Sequence, residues 1–197
     1  MTDTTEGVMP AAEVEAEAYQ VKSRESRFTV QAFADGLFSA FGHNPKLIAR
    51  EISGEVHVDR EDLTRSVLEF SVKAESLKVA DDVSEKDRNE IERMMKEDVL
   101  ETSRFPDIMF RSKAVTADKI YEGFYRVKIT GGLTLHGVTR EHLIDSQVRL
   151  MEHGIRAEGE STLRQSDYGI KRVSVAGGAL KVKDEVKLSF LIVAGKS

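Results

Sequence analysis

Along most of this chain, apolar and polar residues trade places at every second position. Phe28, Val30, Ala32 and Ala34 share one parity, and in ISGEVHVD the residues Ile52, Gly54, Val56 and Val58 alternate with Ser53, Glu55, His57 and Asp59. Leu68, Phe70 and Val72 alternate with Glu69, Ser71 and Lys73, and Val186, Leu188, Phe190 and Ile192 repeat the pattern. A period of two sends successive side chains to opposite faces of a strand, so each segment predicts an antiparallel strand with one dry face and one wet face. No repeat of fixed length runs through the chain.

One stretch breaks the period. In SEKDRNEIERMMKEDVLE, beginning at Ser84, the residues Ile91, Met94, Met95 and Val99 fall at helical spacing among charged positions. Ser84 is a good N-cap, and Glu85 and Asp87 suit the positive end of the helix dipole. The segment predicts one amphipathic helix of some four turns. Its apolar stripe is narrow, which places it over an opening or along a rim; the Met pair serves either as plain packing or as a pliable gate.

Two tight turns allow faces to be assigned. In LTLHGVTREHL, Gly137-Val138 has the Gly-first pattern of a type II′ loop and would pair His136 with Thr139. Val127 then faces Val148, Tyr125 faces Leu150, Gly131 faces Ile144, and Leu133 faces His142, so both apolar sets share one side. If His153-Gly154 forms the next loop, Leu150, Val148, Ser146 and Ile144 face Ala157, Gly159, Ser161 and Leu163. The inner face of that last strand is unusually small. Either a Phe from across the sheet fills the gap or a cavity exists, with Gly159 also a place for a bulge.

Seven or eight meandering antiparallel strands with one helix predict an all-β protein, a closed antiparallel β-barrel, because closure removes exposed strand edges. Barrels of about eight strands hold packed side chains or one small ligand. The first twenty residues carry no Lys or Arg and five carboxylates. Residues 1–18 therefore read as an acidic arm, mobile or briefly helical, ahead of one domain over 19–197.

Composition narrows the function classes. The 197 residues include 29 Lys plus Arg against 34 Asp plus Glu, a net charge of −5, which offers no electrostatic footprint for nucleic acid. With no Cys there is no disulfide, thiolate metal site or Cys nucleophile. No window approaches the roughly 18 apolar residues of a membrane span, and the N-terminus lacks the basic and apolar regions of an export signal. The expected location is the cytoplasm.

Among five histidines, His57 falls on a polar parity and His153 in a turn, both surface positions. His136 sits at a hairpin corner, where its ring can brace the turn. His142 stands out because it falls on the apolar side; it is a core or rim histidine, a ligand contact or a base. His43, in FSAFGHNPK, lies in an irregular connection beside Phe38 and Phe41, where it could meet a ligand head group. No histidine pair has metal-site spacing, and no HExxH, GxSxG, Walker A or GxGxxG motif occurs. Asp81, Asp82 and Glu85 could hold a cation weakly or simply serve the helix dipole, and Gly177-Gly178 reads as a turn before the last strand. No nucleophile, base and acid form a set.

The segments RFTVQAF, FSAFGH, ISGEVHVD, VLETSRFPDIMFRS, GGLTLHGVTR and LRQSDYGIK…KDEVKLSFLI together resemble the YceI-like family of lipocalin-like, polyisoprenoid-binding proteins, from about Arg27 to Ala194. The resemblance implies an elongated lipocalin-like barrel, often a homodimer, with an apolar tunnel for an isoprenoid or similar amphiphilic lipid. No required cofactor and no metal follow from it, and none of the matched segments is catalytic. The implied tail contacts are Phe28, Val30, Phe70, Phe110, Tyr125, Val127, Val148 and Phe190. The implied mouth contacts are Phe38, Phe41, His43, Met94 and Tyr168. The chain departs from exported members in its missing signal peptide and in its GHNPKL loop. The expected function is lipid sequestration or carriage without covalent chemistry. The alternatives are a barrel enzyme using His142 or His43, and a stress-related structural protein whose barrel is filled.

Overall fold

The computed structural model describes residues 16–35, 44–171, 174–175 and 180–196. Among them the chain forms β1 (Glu17–Val21), β2 (Arg27–Gln31), β3 (Ala34–Asp35), β4 (Lys46–Ile48), β5 (Ile52–Val58), β6 (Val67–Lys73), β7 (Lys78–Val79), helix α1 (Glu85–Met94), β8 (Asp107–Tyr121), β9 (Phe124–Leu135), β10 (Val138–Leu150), β11 (Gly154–Arg164), β12 (Ser174–Val175), β13 (Leu180–Val182) and β14 (Glu185–Lys196). The pairing order β1-β5-β6-β8-β9-β10-β11-β14 returns to β1, which closes an antiparallel barrel of eight strands. The first strand begins at Glu17, slightly ahead of the expected Tyr19.

The barrel is not uniform along its length. Strand β14 serves two partners on one edge: Ala194 to Lys196 pair with β1, and Lys187 to Leu191 pair with β2. Between them the chain turns at Lys22, whose carbonyl accepts from the N–H groups of Glu25 and Ser26 at 3.0 Å each. At this break the Ser26 hydroxyl accepts from the Val193 N–H (3.0 Å), so the β14 backbone keeps a partner. Strand β2 then diverges from the barrel and carries β4 and β7. Helix α1 is fastened to this extension: the Glu92 carboxylate accepts from Lys78 Nζ (2.9 Å) and from the Val79 N–H (3.1 Å), and Arg88 donates to the Val79 carbonyl (3.1 Å).

Both expected turns occur, each one residue earlier than the glycine pattern indicates. The first loop is His136-Gly137, with Leu135 paired to Val138 and the Thr134 and Thr139 hydroxyls 2.8 Å apart. His136 (φ +51°) and Gly137 (φ +74°) both adopt the left-handed conformation of a type I′ turn in place of the II′ geometry expected, and either type matches the twist of the strands. His136 tolerates this because it is held from outside, its Nε2 3.1 Å from Glu101 Oε1 and its ring 4.4 Å from the Phe105 ring. A Cβ at Gly137 would lie 2.6 Å from the Phe105 ring, so glycine is required for space as well as for φ. The second loop is Glu152-His153, with Leu150 facing Ile155 and Val148 facing Ala157. Each pairing therefore differs from expectation by two residues. Because the side-chain period is also two, every residue keeps its face.

The predicted helix is present, capped by Ser84 Oγ accepting from the Asp87 N–H (3.1 Å). It is regular only to Met94, after which Met95–Val99 widen into a π-turn closed by the Leu100 N–H on the Met95 carbonyl (2.8 Å). The extra residue in the turn brings Leu100 onto the interior beside Met95 and Val99, where a continued α-helix would turn it away from them.

The end of the barrel at β1 is tied by charge. Arg60 donates to Glu17 (2.7 Å), to the Tyr19 hydroxyl (2.6 Å) and to the Met151 carbonyl (2.7 Å), and Lys196 reaches Glu17 at 3.1 Å. Tyr19 also bonds Glu17, and these hydrogen bonds, Tyr19 first and then Arg60, hold the Glu17 carboxyl at about 2. A pKa depressed on folding adds stability at pH values above the unfolded 4.5 and loses it as pH falls toward 2. The urea midpoint should therefore fall between about pH 5 and pH 2, and Glu17→Gln should flatten that part of the profile. A variant with the parent slope would show that other carboxylates set it.

Candidate functional site

The inward residues of the barrel do not meet in the middle. They enclose a cavity of about 930 Å³, near the upper end of the roughly 300–1,000 Å³ typical of small-molecule sites. The small residues of β11 are one cause. Phe190 from β14 lies over Gly159, where an added Cβ would meet its ring at 2.7 Å, so an aromatic does fill that gap. Ala157 and Ser161 on either side line open space. The same device recurs at Gly131, overlaid by Phe110. A gap-filling Phe and a cavity, posed as alternatives from the pattern alone, both occur.

Nine of the expected contacts line this cavity: Phe28, Val30, Phe70, Met94, Phe110, Val127, His142, Val148 and Phe190. Phe28 and Phe70 stack obliquely, ring centres 6.1 Å apart. Tyr125 has the inward parity but sits beside the turn at Glu122 and Gly123, where it packs on the core without reaching the cavity. Tyr168 is also displaced from the expected mouth. The short 3₁₀ turn Gln165–Tyr168 buries its ring to 2 % exposure in the core, and it borders a shallow outer depression with Arg140 and Asp167. Phe38, Phe41 and His43, the N-terminal arm up to residue 15, and Gly177-Gly178 lie outside the described residues.

The cavity wall is mostly apolar, with a few polar groups set into it. Ser146 is buried and donates to the Val127 carbonyl (3.1 Å), and Gln165 donates to the Lys183 carbonyl (2.9 Å). His142 Nε2 lies 3.0 Å from Ser161 Oγ. Burial pushes the His142 pKa down, which keeps the ring uncharged at neutral pH. At one rim stand Asp81, Asp82, Asp87 and Glu90, beside Ile91 and Met94 of α1. No Lys or Arg lines the cavity among the described residues.

Sequence reasoning took Ser161 only as a small residue, and Met95, Gln165 and the rim carboxylates went unmarked as cavity residues. The register explains the first omission. In the expected register Ser161 stands opposite Ser146, whereas the observed one places it diagonally beside His142. The other described histidines behave as surface or bracing groups: His136 braces its turn, His57 lies 3.1 Å from Glu55, and His153 is exposed in its turn. Among the described residues no group of three or more His, Asp or Glu side chains could hold a metal ion, and no helix is long and apolar enough to cross a membrane.

Comparison with known proteins follows this geometry. The profile of a family described as the YceI-like domain matches residues 17–194. Among solved structures, a polyisoprenoid binding domain from Saccharophagus degradans, implicated in plant cell wall breakdown, superposes with a TM-score of 0.67 at 14% identity, covering 92% of this chain and 99% of that one. BcnA of Burkholderia cenocepacia gives 0.66 at 16% identity, covering 88% and 98%. The YCEI protein of Campylobacter jejuni gives 0.58 at 18%, covering 79% and 86%. A comparison with curated protein sequences finds no match.

Proposed function

The chain belongs to the YceI-like domain family, and from that premise we propose that it binds one amphiphilic lipid, an isoprenoid or fatty chain, inside the barrel for sequestration or carriage. The observation that carries this reading is the apolar cavity of about 930 Å³. The polyisoprenoid binding named for the Saccharophagus degradans domain of the same fold supports it. Burying a chain of about sixteen carbons, at ~0.8 kcal/mol per methylene, yields about 13 kcal/mol gross. Association costs of at least about 4 kcal/mol leave at most about 9 kcal/mol, a submicromolar complex at best. Apolar burial thus supplies the affinity, and the few polar groups choose among ligands.

No covalent chemistry is part of the proposal. The contact of His142 with Ser161 is the kind a barrel enzyme would need, but the ring has no carboxylate partner among the described residues to orient it as a base. A filled structural barrel is a poorer fit to an interior with this much open volume.

The test is to purify the protein without detergent, extract it with organic solvent and analyse the extract by mass spectrometry. A chain lipid in near-stoichiometric amount is expected. The proposal fails if nothing is extracted and added prenyl and fatty chains do not bind.

A further inference from the structure

We infer that His142 and Ser161 together form a recognition point for a neutral oxygen function, a hydroxyl or carbonyl, on the bound chain, and that the cavity selects such lipids over carboxylates and phosphates. This rests on the lipid-binding reading above and names the ligand class it favours.

Hydrogen-bond inventory singles out this pair. The hydroxyl of Ser146 and the amide of Gln165 each donate to a backbone carbonyl. The His142–Ser161 pair is different because its one internal bond (3.0 Å) joins two side chains and ties neither of them to the backbone. If the Ser161 hydroxyl donates to Nε2, then Nδ1 carries a proton and Oγ still accepts. If Nε2–H donates to Oγ, the serine proton is free and Nδ1 accepts. In either tautomer the pair keeps one donor and one acceptor, and Nδ1 has no partner among the described residues. A hydroxyl satisfies both tautomers, and a carbonyl satisfies the donor of either.

Charge decides against anions. A carboxylate or phosphate drawn into the cavity loses its hydration and needs a cation. None lines the cavity among the described residues, and the ring beside Ser161 is uncharged at neutral pH. Any anionic head group held at the rim instead faces Asp81, Asp82, Asp87 and Glu90. Three of these are already occupied: Asp81 accepts from the Lys46 N–H (2.6 Å), Asp87 accepts from the Ser84 hydroxyl (2.6 Å) and Glu90 pairs with Arg93 (2.8 Å). Arg93 is exposed on the helix and spans Glu90 and Glu97, which leaves it little capacity for a further anion.

Displacement of N-phenyl-1-naphthylamine by hexadecane, hexadecan-1-ol and hexadecanoate at neutral pH tests the inference. For the parent protein the alcohol should bind about tenfold more tightly than the hydrocarbon and more tightly than the acid. In His142→Leu the ratio of alcohol to hexadecane affinity should fall to about one; His142→Gln should keep that ratio partly above one. The ¹⁵N resonance of Nδ1 in the parent protein should move with the alcohol and not with the hydrocarbon, which requires no variant. Equal binding of alcohol and hydrocarbon, an advantage that persists in His142→Leu, or tightest binding of the acid would each overturn the inference and leave lipid binding standing. Failure of all three probes to bind would overturn both.

Discussion

Ala157→Trp is expected to lower affinity for a sixteen-carbon chain by about 100-fold while the barrel still folds. Ala157 lies on β11 between Val148 and Ile192, all three on the cavity wall, so an indole there projects into open space and not into packed side chains. Overpacking costs of about 1–3 kcal/mol arise when a core is already full, and here much of the added volume has somewhere to go. Three or four carbons that can no longer be buried cost about 3 kcal/mol at ~0.8 kcal/mol each, which is the stated factor. Calorimetric titration with a prenyl or fatty alcohol, alongside thermal unfolding of both proteins, measures the two quantities separately. Unchanged affinity in a folded variant would place the ligand elsewhere.

Tyr19→Ala should produce the larger loss of stability, about 3–5 kcal/mol. Its ring is completely buried with Val58, Ile155 and Ala194, at the seam where β1 meets β5 and β14. Removing it creates a void, and it also strips Arg60 of one of its three acceptors. Tyr19→Phe separates the two effects: the ring remains, only the hydroxyl is lost, and about 1 kcal/mol is expected. Urea unfolding with an unchanged slope would report both values directly. A Tyr19→Ala variant within about 1 kcal/mol of the parent would mean that the seam is held by backbone pairing alone.

The strands, the helix and the faces of nearly all inward residues were legible in the sequence because period two is a local property. Phe28, Phe70, Phe110, Val127, Val148 and Phe190 reach the cavity wall as their parity indicates. Register was less legible. The glycine of His136-Gly137 fits either position of a two-residue loop, and the choice turns on Glu101 and Phe105, which come from a different part of the chain. The equal displacement at the Glu152-His153 loop preserved every face yet hid the partner of His142, since who stands diagonally across a sheet depends on register whereas who faces inward does not. Tyr125 and Tyr168 were misplaced for another reason: parity indicates which side a residue takes, not how far along the barrel the open space extends. The π-turn after Met94 left no recognisable trace in the pattern, because its apolar residues fit a helix equally well.

The pairing of β1 with β14 joins residues as many as 179 positions apart, as between Glu17 and Lys196. A contact that distant is among the last a chain can form, since the ends of the intervening loop must first be brought together. Until β14 emerges from the ribosome, the other strands can make only an open, curved sheet with its oily face uncovered. The cavity therefore exists only once β14 has closed on β11 at one edge and β1 at the other.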